Sequence, residues 1–139
     1  MPNPPVNQSV QSPVKFWRAA GMFQDTKENR IWRNAAARNS FSGPGGFMDT
    51  KRQNPQASYG SSDKLFKSNG KFAVRVPGIK HAHITHDLSV VYKVEGNNIY
   101  LYGFFTHDEL GTGQPANIRK QDAMATRFSN TEFLEETKG

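Results

Sequence analysis

The sequence predicts an α+β domain, and three observations carry that prediction. Apolar residues alternate with others from Leu88 to Val94 and again from Ile99 to Thr106, the period of half-buried strands. Between the two runs stands Gly96-Asn97-Asn98, whose residues tolerate positive φ and suit a tight hairpin turn. Helical patterns flank this antiparallel meander, over about residues 26–38 on one side and from Pro115 to about Ser129 on the other.

Taken in order, residues 1–13 contain four prolines with Asn, Gln and Ser, and predict an extended or disordered arm. The apolar and aromatic run V-K-F-W-R-A-A-G-M-F (residues 14–23) predicts a short helix or docking segment whose Phe16, Trp17, Met22 and Phe23 complete a core. Asp25 and Glu28 have the spacing of a helix N-terminal cap. The helix they open presents Ile31, Trp32 and Ala35 inward, with Lys27, Arg30, Arg33 and Arg38 mostly outward. Residues 39–63, rich in Gly, Pro, Ser and Asn, read as one long loop. Phe72, Val74 and Val76 alternate in a first strand that ends at Pro77-Gly78, and residues 79–85 form the next. Beyond Gly111-Thr112-Gly113, Pro115 suits a helix start. Ile118, Ala125 and Phe128 then form an apolar stripe, and the acidic end from Asn130 reads as a fraying tail. Four segments follow: an arm (1–13), a basic helical segment with a long loop (14–60), an α+β domain (61–129) and an acidic tail (130–139).

With 139 residues the chain suits one domain, and its 35% apolar content allows a modest core. It has no cysteine, so disulfides and thiolate metal sites are excluded. No apolar run approaches membrane-spanning length and the N-terminus lacks signal-peptide features, so a soluble, cytoplasmic protein is expected. The net charge of +6 is uneven. Residues 1–60 hold eight Lys/Arg against three Asp/Glu, whereas residues 61–139 hold ten against nine. A basic N-terminal half can attract a polyanion at long range, so Arg30, Arg33 and Arg38 could contact RNA or a protein partner, or simply form a solvated basic surface.

All four histidines (His81, His83, His86 and His107) fall between residues 81 and 107. Histidine titrates near neutrality and suits proton transfer. If His86-Asp87 and Asn97-Asn98 are two-residue turns, His83 pairs with Val90, and Val90 with Phe105. His83 and His107 then flank one strand on a common sheet face, with Asp87 at its rim. Two histidines and a carboxylate, with Arg75, Lys80 and Lys93 as cations, suit transphosphorylation of RNA, which requires no metal or other cofactor. Two other readings stand beside this one. His81, His83 and His86 with Asp87 could ligate a divalent metal, or the histidines could be polar residues on a half-exposed sheet.

The stretch K-H-A-H-I-T-H-D-L-S-V-V-Y-K-V, a short turn, then I-Y-L-Y-G-F-F-T-H-D-E-L-G resembles the C-terminal half of RelE-superfamily toxins, nearest the YafQ branch. The likeness covers roughly residues 70–111. It rests on H-x-x-x-D, a hydrophobic-Tyr-Lys strand, and T-H-x-x-L at a matching interval. The resemblance implies a small antiparallel sheet with helices packed on one side, and metal-independent cleavage of mRNA, usually on the ribosome. It also implies an antitoxin that neutralises the chain; an immunity protein is the alternative partner expected. On this resemblance the catalytic residues are His83, Asp87 and His107. The chain departs from the family pattern at Leu88, where a tryptophan is usual, at Gly111 in place of a late aromatic, and at His81 and His86 in place of an acid and a proline.

An endoribonuclease toxin is therefore the expected function. The competing class is a non-catalytic RNA-binding or assembly module with the same fold, in which the basic half supplies the contact surface.

Overall fold

The longest strand of the sheet, β5 (Asn98–Phe105), is its centre, and the chain on both sides of it in sequence folds back onto it. In the computed structural model of the protein, residues 13–20, 34–59, 64–65 and 70–135 are described. Within them β1 (Lys15–Ala19), α1 (Ala35–Ser42), α2 (Phe47–Gln53), β2 (Lys64–Leu65) and α3 (Lys71–Arg75) precede the meander. The meander is β3 (Lys80–His83), β4 (Ser89–Glu95) and β5; α4 (His107–Leu110), α5 (Ile118–Ser129) and β6 (Phe133–Glu135) follow it. The six strands lie in the order β2-β3-β4-β5-β1-β6, all neighbours antiparallel except the parallel pair β1 and β5. The fold is α+β, as the sequence predicts. Among the described residues no helix is long and apolar enough to cross a membrane.

The helices cover both faces of this sheet rather than one. On one face Ala37 and Phe41 of α1 and Phe47 and Met48 of α2 pack against Val90, Tyr92, Leu101 and Phe104. On the other, Phe72 of α3, Leu110 of α4, and Ala125 and Phe128 of α5 pack against Val91, Tyr102 and Phe105. A sheet buried on both sides needs apolar residues on both, which accounts for the unbroken buried run from Gly103 to Phe105.

A bulge decides which side chain goes where. The β4–β5 loop is Gly96-Asn97, with Glu95 opposite Asn98, and Gly96 takes the positive φ (+60°) the turn requires. Val91 pairs with Gly103 but Tyr92 pairs with Leu101, so Tyr102 is the extra residue of the bulge. Strict alternation would put Leu101 and Phe105 together on one face. Instead Leu101 and Phe104 share the α1–α2 face, and Tyr102 and Phe105 share the other.

Several elements differ from the sequence expectation. Residues 15–19 are a strand, not a helix. Phe16 buries on the α1–α2 side, whereas Trp17 stacks on Tyr100 at 5.9 Å and donates from Nε1 to Asn98 Oδ1 at 2.9 Å. A short aromatic run is ambiguous, and here pairing with β5 resolves it. The supposed long loop contains the end of α1 and all of α2. Asn34 caps α1, with its side chain accepting from Ala37 N–H, and Gly43 and Gly46 flank the turn to α2. Ala35, expected inside, is exposed, while Ala37 and Phe41 are buried. The rest of the helix predicted over 26–38, and the arm except Pro13, lie outside the described residues.

Residues 71–75 are helical because Phe72 and Val76 bury together at the i, i+4 spacing and leave Val74 65% exposed. Helix α5 starts at Ile118 behind the Asn117 cap, not at Pro115, and Ile118 itself is exposed. The supposed fraying tail supplies β6, with Phe133 against Tyr100 and Tyr102. Residues on both sides of position 60 share one sheet and one core, so a boundary there would cut through a single packing unit.

Candidate active site

Strand β3 exposes alternate residues to opposite faces. Ala82 buries against Val90 on the α1–α2 side, so His81 and His83 both project on the α3–α5 side. His81 pairs with Val91, and His83 with Ser89, which in turn pairs with Phe105. The register is thus one residue away from the predicted one, because residues 84–88 form a longer loop closed by Ile84 N–H to Leu88 O at 2.7 Å.

His107 arrives from the other direction, as the first residue of α4. Thr106 caps α4 with a reciprocal capping box: its Oγ1 accepts from Glu109 N–H at 3.1 Å, and its own N–H donates to Glu109 Oε1 at 2.9 Å. T-H-D-E is therefore a helix start. Gly111 ends α4 in the left-handed region (φ +77°), where an added Cβ would lie 2.5 Å from Asn117 O. The chain then turns back, so that Thr112 N–H donates to His107 O at 3.0 Å and Thr112 Oγ1 lies 3.1 Å from His107 Nδ1.

The outcome is a triangle of imidazoles. Ring centroids stand 5.4 Å apart for His83–His107, 5.7 Å for His81–His83 and 6.3 Å for His81–His107. His83 is exposed while His81 and His107 are half-buried, so the cluster opens to solvent. Ser89, itself buried, brings Oγ to 3.3 Å from His83 Nδ1.

Neither family models, nor curated proteins, nor solved structures match this chain. The site must therefore be read from its own chemistry.

Of the predicted site residues, His83 and His107 come together. Asp87 does not join them: it is exposed and lines a cleft with Asn34 and Ala37 of α1, Leu88 and Thr106. Among the described residues it forms no ion pair with any of the three rings. Lys80 alternates with His81 and so belongs to the opposite face. Arg75 is turned onto α5, paired with Asp122 at 2.8 Å and bonded to Thr126 Oγ1. Lys93 lies on the histidine face two residues beyond Val91, in an ion pair with Glu95 at 3.0 Å. Arg38 is half-buried on α1, and Arg30 and Arg33 lie outside the described residues.

His86 is exposed on the loop, apart from the triangle, and among the described residues no group of three His, Asp or Glu is set to hold a metal ion. Sequence reasoning joined His81 to His83 only as a possible metal ligand and not to His107, and it missed Ser89 and Thr112 altogether. The H-x-H spacing was the signal for the first, since i and i+2 share a strand face. Nothing local in the sequence signals the two hydroxyls, which reach their histidines through strand pairing and a loop reversal.

Proposed function

We propose that the protein is an endoribonuclease toxin that cleaves mRNA by acid–base transphosphorylation, with His83 and His107 as the proton-transfer pair and His81 beside them. The observation that carries this reading is the mutual approach of the three rings within 6.3 Å on a solvent-open sheet face. One imidazole takes the proton of a ribose 2′-hydroxyl as its oxygen bonds to phosphorus. The other, as imidazolium, protonates the 5′-oxygen as its bond to phosphorus breaks. The products are a 2′,3′-cyclic phosphate and a 5′-hydroxyl. His81, as an imidazolium, supplies positive charge towards the phosphorane, whereas Lys93 is paired with Glu95 further along the same face. Asp87, on the α1 side, has a supporting role at most in this scheme.

The likeness of residues 70–111 to RelE-superfamily toxins supports the same reading and extends it. On that basis the chain acts in the cytoplasm on mRNA, at the ribosome, and an antitoxin neutralises it. The net charge of +6 favours both an RNA substrate and an acidic partner.

The test is cleavage of a defined RNA, free and on ribosomes, by the purified full chain and by His83→Ala and His107→Ala. Each substitution is expected to lower the rate by about 10²–10⁴, the usual worth of a general acid or base, with the circular dichroism spectrum retained. RNA that binds but is never cut in either setting would instead favour the non-catalytic RNA-binding module. Wild-type rates in both variants would remove the histidines from the chemistry.

A further inference from the structure

We infer that Ser89 and Thr112 are positioning residues: their hydroxyls hold Nδ1 of His83 and of His107, so that both rings turn Nε2 toward the shared site. This rests on the proposed proton-transfer roles of those two histidines.

The geometry is parallel at the two rings, although the chain reaches them by different routes. Ser89 Oγ approaches His83 Nδ1 at 3.3 Å across the β3–β4 pair, where the two residues are register partners. Thr112 Oγ1 approaches His107 Nδ1 at 3.1 Å after the reversal at Gly111. The nitrogen of an imidazole that stays available is set by the bond its other nitrogen makes. A general base needs an Nε2 lone pair, which leaves the single ring proton on Nδ1. A general acid is doubly protonated, which again leaves a proton on Nδ1. In both states Nδ1–H donates and the hydroxyl oxygen accepts, so one partner serves before and after each transfer. A hydroxyl is also neutral. It orients the ring without adding the charge that a carboxylate would, which suits a pair in which one member acts as base and the other as acid.

Burial favours this assignment over an incidental contact. Ser89 is 2% exposed in a strand whose neighbours Val90 and Val91 are wholly buried, and a buried hydroxyl requires a partner. Thr112 is fixed from the backbone side by its N–H bond to His107 O, so removing its side-chain oxygen leaves the loop anchored.

The experiment uses the full chain with Ser89→Ala, Thr112→Val and Thr112→Ser, read by two independent measurements. Nitrogen-resolved NMR of the imidazoles reports which ring nitrogen carries the proton and needs no substrate. Neutral His83 and His107 are expected in the Nδ1–H form in the wild type, each moving toward Nε2–H when its own hydroxyl is removed and not when the other is. RNA cleavage is then expected to fall about 10–100-fold in kcat for Ser89→Ala and Thr112→Val, by analogy with the loss of an orienting partner at a metal-bound histidine, with KM little changed. Thr112→Ser, which keeps the oxygen, recovers most of the loss. If the wild type is Nε2–H at both rings, or the tautomers ignore the substitutions, the inference is overturned whatever the chain does to RNA. If the tautomers respond but the wild type cleaves nothing, the proposed function fails and the orienting contacts stand.

Discussion

His83, at the end of β3, and His107, in the first turn of α4, bring their rings to 5.4 Å across Ser89 and Phe105, a cross-strand pair. Neither ring depends on the other for its place. One is held by strand alternation and the other by a capping box and a left-handed glycine. The separate supports make the site testable one side chain at a time.

His81 and Asp87 are expected to part company. His81→Gln should reduce cleavage by at least about tenfold, through loss of an imidazole next to the reacting pair. Asp87→Asn, on the α1 side, should change it by less than that. Single-turnover rates on one RNA decide the matter. The reverse ranking would return the third place to the carboxylate and require the 84–88 loop to rearrange on substrate binding.

Cleavage should persist in EDTA and leave a 2′,3′-cyclic phosphate, or the 3′-phosphate derived from it, upstream of a 5′-hydroxyl. The reason is that two imidazoles supply both the proton acceptor and the proton donor that transphosphorylation needs, so the scheme calls for no metal. End-group analysis of the fragments checks the first products. Activity abolished by chelation and restored by zinc or manganese would overturn the scheme.

Phe47→Ala should destabilise the fold by about 3–5 kcal/mol, the range for emptying a buried aromatic site. Phe47 is fully buried, with its ring 5.1 Å from Tyr92 and 5.8 Å from Phe41. Urea unfolding measured by two probes should show one transition shifted as a whole. Loss of a separate early transition, with the sheet unaffected, would mean that the α1–α2 segment folds apart from the meander.

The Tyr102 phenol is pushed up to about 12, first by burial and then by Glu95 and Tyr100, from an ordinary value of 10.0. A raised folded-state value means that the neutral phenol is favoured in the folded chain. Its contribution is complete below pH 10 and is lost as pH rises from 10 through about 12. Thermal midpoints should therefore fall more steeply across that window in the wild type than in Tyr102→Phe, which cannot ionise. Parallel decline in the two proteins would refute the assignment.

The meander, its hairpin and the closing helix were legible in the amino-acid order because alternation, a Gly-Asn turn and an apolar stripe at i, i+7 and i+10 are local signals. The clustering of all four histidines in one stretch was legible as well, but the pairings expected to put His83 and His107 on one face, His83 with Val90 and Leu88 with His107, are not the ones formed. Local signals failed where two patterns share the same residues. Phe72 and Val76 fit a strand or a helix equally, and only the packing of both against the α5 side, with Val74 left outside, makes that turn helical. The apolar run at residues 15–19 became a strand because β5 offered it a parallel partner. The tail became β6 because β1 then offered a second edge. Which residues meet at the site was also decided in three dimensions. A one-residue shift of register, set by the length of the 84–88 loop, put Ser89 beside His83 in place of Val90. The same alternation sent His81 to the site and Lys80 away from it, while the loop carried Asp87 to the α1 side. Side-chain direction in a sheet reverses with every residue, so residue types can be read from the order of the chain, but their company depends on a register that only the packed sheet determines.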